Sequence, residues 1–145
     1  MRRGFDQFAA LALTAVGMLF GPGVSAQQSD LLSDPAVRIL IEEVLIADLM
    51  LNSCEGVIAS EEGRSEVQAI ADQLALDAGY TPQGAIDHLS QPSVRAELEA
   101  GARRRLAMMG ARPDDTEVVC AVASRGSDLG GVLGTLLTVF PRTNE

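Results

Sequence analysis

Few residues in this chain could carry out chemistry. There are two cysteines, Cys54 and Cys120, a lone histidine, His88, and an all-arginine basic set in 145 residues. The cysteines are about 66 positions apart, outside Cys-x-x-Cys spacing and without a histidine cluster, which argues against thiol redox catalysis and zinc binding. In an oxidising compartment they can form one internal pairing, and a loop of about 66 residues closed in this way stabilises a domain by about 4 kcal/mol on the chain-entropy argument. His88 would have to serve alone as a base, and no nucleophile-elbow pattern surrounds Ser90 or Ser93. A lone histidine on a short helix is read as a surface residue. Carboxylates occur at Glu42, Glu43, Glu61, Glu62, Asp114 and Asp115. Their places near helix ends or on polar faces are those of solvated, dipole-compensating groups, and none has calcium-loop spacing. No catalytic, metal or cofactor site is expected.

Arg103-Arg104-Arg105 is the one basic cluster in an acidic chain. Three consecutive helical positions fan across more than half the circumference, so they form a solvated face more readily than an anion clamp, with Glu99 four residues before Arg103 as a surface ion-pair partner. If the cluster is functional, these three arginines are the candidate contact for an acidic partner.

The elements that must position these residues follow a helical period. Ser33-Asp34-Pro35 is a capped, proline-started helix, and Val37, Leu40, Ile41, Val44, Leu45, Leu51, Cys54 and Ile58 recur at three- and four-residue spacing, with Arg38, Glu42, Glu43 and Asp48 between them. This predicts one long helix with Cys54 near its far end. A second is predicted from about Glu62 to Ala78, burying Val67, Ile70, Ala71, Leu74 and Ala78 and stopped by Gly79. A short one covers Pro82 to Leu89. Another opens at Ser90-Gln91-Pro92 and carries Val94, Leu98, Leu106 and Met109 to Gly110. The last opens after Arg112-Pro113 and either breaks near Gly126 or runs on through Leu129, Val132, Leu133, Leu136 and Leu137, the continuous or merely kinked helix being the favoured reading. Its glycines at 126, 130, 131 and 134 would strip one face for close packing on another helix. Strand signals are nearly absent. The expected fold is all-α: a small bundle of about five helices with one disulfide, Cys54 to Cys120, tying the end of the first long helix to the start of the last.

The first residues read as an export signal. Met1-Arg2-Arg3 is basic, Ala9 to Phe20 is apolar, Gly21-Pro22-Gly23 breaks the helix, and Val24-Ser25-Ala26 offers the small residues a signal peptidase reads. The apolar run is well short of the roughly 20 residues that span a bilayer, so cleavage after Ala26 is expected and no stable membrane insertion after it. The general secretory route suits this leader, with Arg2-Arg3 leaving a twin-arginine route open. The expected organisation is a signal peptide at 1–26, a flexible leader at 27–33 and a single helical domain at 34–141. Cleavage removes Arg2, Arg3 and Asp6 and takes the net charge from −9 to about −10. That surface repels nucleic acid and anionic lipid and suits cationic partners or simple solubility.

Signal peptide, a helix ending in Cys54, Ala78-Gly79-Tyr80-Thr81, an arginine-rich helix ending Met109-Gly110, and Cys120 followed by Gly134-Thr135-Leu136-Leu137 together resemble a family of small exported alphaproteobacterial proteins known as a domain of unknown function. The resemblance covers most of the chain beyond the leader and implies a helical, disulfide-linked domain. It implies no activity, ligand or catalytic residue. The functional expectation is a non-enzymatic binding or adaptor domain, periplasmic or secreted, monomeric or weakly self-associating, which meets an envelope protein through a helix-lined groove or the arginine face. An acid-stress holdase is the alternative, because protonating many carboxylates would remove the charge that keeps such a surface soluble. A small envelope hydrolase, using a carboxylate dyad or His88 in a pocket, comes third.

Overall fold

The computed structural model describes residues 30–139, so the expected signal peptide at 1–26 lies outside the described residues. The fold is all-α with one short antiparallel strand pair. Helix α1 spans Pro35–Ser53 and starts where the sequence places it: the Asp34 carboxylate accepts the Ala36 N–H at 2.8 Å and Pro35 fills the first turn. Its buried stripe is Val37, Leu40, Ile46, Ala47 and Met50, together with one carboxylate, Glu42. The helix stops short of Ile58. Cys54 is extended at the C-cap, and Val57–Ala59 form strand β1.

Helix α2, Glu61–Asp77, is capped by the Ser60 hydroxyl, which accepts the Gly63 N–H at 3.0 Å. Helix α3, Pro82–Leu89, is capped in the same way by Thr81, which accepts the Gly84 N–H at 3.0 Å. Helix α4 is Pro92–Met108. Helix α5, Thr116–Ala123, begins at Asp115, whose carboxylate accepts the Val118 N–H at 3.2 Å. A 3-10 turn at Gly126–Leu129, helix α6 at Gly131–Leu136 and strand β2 at Leu137–Val139 complete the described chain. Strand β2 pairs with β1 in the register Val57 to Val139, Ile58 to Thr138 and Ala59 to Leu137.

Three expectations are corrected. The final segment is not one continuous or kinked helix: Gly130 and Gly131 have φ of +66° and +55°, and two left-handed residues in succession cannot propagate a right-handed helix. Among the described residues the bundle has six helices, in keeping with the expected all-α bundle of about five, and the glycines serve a sharp change of direction more than a smooth packing face. In the expected flexible leader at 27–33, Leu31–Ser33 form a 3-10 turn, with Leu31 and Leu32 2% and 6% exposed. Burial of two leucines outweighs the entropy of ordering so short a segment. Ile70, expected in the core, points outward, and Ala75 is buried in its place.

α1 is the central rod. It packs most extensively on α4 and also meets α5 and α6. The main core gathers Ile46, Met50, Leu106, Val119, Leu133 and Leu137 around the cysteines. A smaller cluster, Leu31, Val37, Ala75 and Ala85, lies under α2 and α3.

Candidate functional site

The sulfurs of Cys54 and Cys120 are bonded, with their α-carbons 5.3 Å apart across a sequence separation of 66. The bond joins the C-cap of α1 to the middle of α5. It is a structural tie, set in the main core.

The arginine run divides. Arg103 and Arg104 are exposed, whereas Arg105 turns inward to α1. Its Nε lies 3.3 Å from Glu42 Oε2 and its Nη1 lies 3.8 Å from Glu43 Oε1. Glu42 is therefore buried beside a guanidinium and not on a solvated face, a placement that sequence reasoning missed. Gly101, one turn before Arg105, makes this approach possible, since a methyl group there would overlap the Glu42 side chain. Glu43 reaches across to α6, where its Oε2 accepts the Val132 N–H at 2.9 Å and the Leu133 N–H at 3.3 Å. One carboxylate thus satisfies two free amides of a helix distant in sequence. The expected Glu99–Arg103 pair is not formed: Glu99 takes Arg95 instead, at 2.9 Å.

Other candidate carboxylates have structural partners too. Glu61 lies 3.7 Å from Arg64, Asp114 lies 3.7 Å from Arg112, and Asp115 is the α5 cap. Glu62 is exposed in the first turn of α2. His88 is half-buried rather than exposed: among the described residues its Nε2 is shielded from solvent with no hydrogen-bond partner, the nearest acid atom being Asp30 Oδ1 at 4.0 Å, and its ring is tilted against Tyr80 at 5.6 Å. Burial against an aromatic ring explains why this histidine fails to reach the surface.

The feature best shaped to receive something is an apolar groove of about 290 Å³ bounded by α1, α2 and α3. Val37, Ile41 and Val44 form its floor, and Val67, Ala71 and Leu74 one wall. Ala85, Ile86 and Leu89 form the other. The space exists because α2 and α3 turn small side chains, Ala71, Ala75 and Ala85, toward a leucine- and valine-rich α1. Arg64, Gln68 and Asp72 are its polar members, all on α2. A second depression of about 310 Å³, more polar, includes Arg95, Glu99 and Arg103 between α1 and α4. Apolar enclosure with a few polar groups is the usual make-up of a binding cleft, and this groove is at the small end of the size range.

Among the described residues, no group of three or more His, Cys, Asp or Glu side chains is gathered to hold a metal ion, and no helix is long and apolar enough to cross a membrane. Comparison with protein-family models, with curated proteins and with solved structures finds no match.

Proposed function

We propose that this chain is a non-enzymatic binding or adaptor domain of the cell envelope, exported by its leader and working in the periplasm or outside the cell. The observation that carries this reading is the open apolar groove between α1, α2 and α3. Stabilising a small domain favours filling such a space, because buried CH₂ groups contribute about 0.8 kcal/mol each. Three alanines leave it unfilled. The engagement of Glu42 and Glu43 with Arg105 and with backbone amides supports a binding role over acid–base chemistry. The cysteine bridge supports an oxidising compartment, and the likeness to small exported alphaproteobacterial proteins belongs to the same proposal.

Titration with a neutral naphthylamine dye tests the reading. The dye should bind the native protein saturably at one site, and Ala71→Leu, which places a larger side chain in the groove, should abolish binding while the helical circular dichroism is retained. Equal dye binding by the filled variant, or none by the native protein, rejects it. Fractionation of the producing cells tests the compartment: protein retained in the cytosol with residues 1–26 attached refutes the export part.

A further inference from the structure

Size, shape and lining together narrow what the groove receives. At about 30 Å³ for each carbon-sized atom, a space of about 290 Å³ holds about ten carbons. Its lining on α2 runs from Arg64 to Ala75, about 16 Å at the rise of an α-helix. Allowing about 4 Å for the thickness of one carbon layer, that volume spread over about 16 Å leaves a strip about 4–5 Å wide, the width of a single hydrocarbon chain. Ile86 at the lip is 53% exposed, so one end of such a chain can remain in water.

The lining recognises hydrocarbon. Apart from Arg64, Gln68 and Asp72 its side chains are aliphatic, and among the described residues none is aromatic, so a planar ring finds no stacking partner. The charged members are one arginine and one aspartate, both on α2. Arg64 lies 3.7 Å from Glu61, and Asp72 accepts the Gln68 amide at 2.7 Å. An anionic head group and a cationic one meet the same balance, and neither gains by it. What remains is the enclosure of CH₂ groups, each raising affinity by about fourfold.

We infer that the groove between α1, α2 and α3 is a binding site for one unbranched aliphatic chain of about ten carbons from a freely diffusing small molecule, held by its hydrocarbon and not by its head group. This rests on the binding-domain reading above and gives it a ligand class.

The test is isothermal titration calorimetry on the disulfide-intact protein as its producing cell processes it, with the straight-chain alcohols 1-hexanol through 1-dodecanol, each below its solubility limit. Affinity at one site should rise by about fourfold per added carbon and level off at about ten carbons, where the trough is full. Ala71→Leu, which adds an isopropyl group to the wall, should move the levelling point back by about three carbons while the helical circular dichroism is retained. 1-Adamantanol, a compact cage with as many carbons as 1-decanol, should bind more weakly by about tenfold or more after both are corrected for water-to-octanol transfer. In salt of about 0.15 M, decanoate and decyltrimethylammonium should each bind within about fivefold of 1-decanol. Affinity that keeps climbing to 1-dodecanol, a levelling point that Ala71→Leu leaves in place, a cage bound as well as the chain, or a preference of about tenfold or more for either ion overturns the single-chain assignment. So does protein that sediments with phosphatidylcholine vesicles and ignores 1-decanol, the mark of a chain drawn from a bilayer. If the alcohols fail while the neutral dye binds at one site that Ala71→Leu closes, the groove remains a binding site and only the chain assignment is lost. If the dye fails as well, both readings fall together.

Discussion

Replacing the three consecutive arginines one at a time should give three unlike variants, and only Arg105 should matter to stability. Glu42 and Glu43 have side chains 7% and 14% exposed, and both face the guanidinium of Arg105, whose side chain is 26% exposed. Arg105→Met keeps the aliphatic stem and removes the charge, leaving adjacent carboxylates in a largely enclosed place. Breaking a fully buried pair costs about 3–5 kcal/mol, while a solvent-exposed pair is worth about 0–1 kcal/mol. The contacts at 3.3 and 3.8 Å are long for charge-assisted bonds, and a quarter of the Arg105 side chain is exposed, so about 2–3 kcal/mol is expected. With a urea slope of about 1.5 kcal/mol per M, the midpoint should fall by about 1.3–2 M. Arg103→Gln and Arg104→Gln, on exposed positions, should stay within about 0.5 kcal/mol of the parent. Adding Glu42→Gln to Arg105→Met should recover part of the loss, because the stranded charge is what costs most. Urea unfolding with the disulfide intact, followed by far-UV circular dichroism, measures all four. An Arg105→Met midpoint within about 0.3 M of the parent, or an Arg103→Gln midpoint that falls equally far, refutes the reasoning.

Reducing the Cys54–Cys120 bond, or changing both cysteines to serine, should lower unfolding free energy by about 4 kcal/mol; the native protein should take up no alkylating reagent, and two thiols alkylated without reductant would contradict the bond. Gly101→Ala ought to stabilise an ordinary helix by about 1 kcal/mol but should instead destabilise this protein by about 1–3 kcal/mol, since the new methyl overlaps Glu42; a raised melting temperature would show that α1 and α4 approach less closely. Amides in the second half of α2 and in α3 should exchange with deuterium well before those of α1 and α4, because the smaller cluster beneath them has four fully buried members and no covalent or enclosed ionic tie; equal protection across the four helices would show one cooperative unit.

Helix starts were legible wherever a local cap decides them. Asp34 with Pro35, and Thr81 with Pro82, act through hydrogen bonds two or three residues away, within reach of any window along the chain. The sheet was not legible for the opposite reason. Val57–Ala59 and Leu137–Val139 are three residues each, too short to establish a period, and their hydrogen bonds cross about 80 positions of sequence. The last helix was overextended because Leu129, Val132, Leu133, Leu136 and Leu137 keep a helical spacing even though Gly130 and Gly131 reverse the backbone between them. Side-chain periodicity carries no record of φ.

The interior ionic cluster left a fainter trace. Glu42 is four residues before Ile46 and eight before Met50, on the same side of α1 as the deepest core positions, while Gly101 and Arg105 share one face of α4. A carboxylate on an apolar stripe and an arginine one turn beyond a mid-helix glycine are complementary anomalies, each explained by the other. That pairing also accounts for where the molecule is open. α1 holds α4 through Arg105 and through Arg38, which meets Glu97 at 2.8 Å; it holds α6 through Glu43 and α5 through the sulfur bond. Directional or covalent ties fix three helices on one side of the rod. On the other side, among the described residues, α1 meets α2 and α3 through apolar contacts, and three of the groove-lining side chains there are alanines. Stability concentrated on one side of α1 lets the opposite side remain an unfilled apolar trough without loss of the fold.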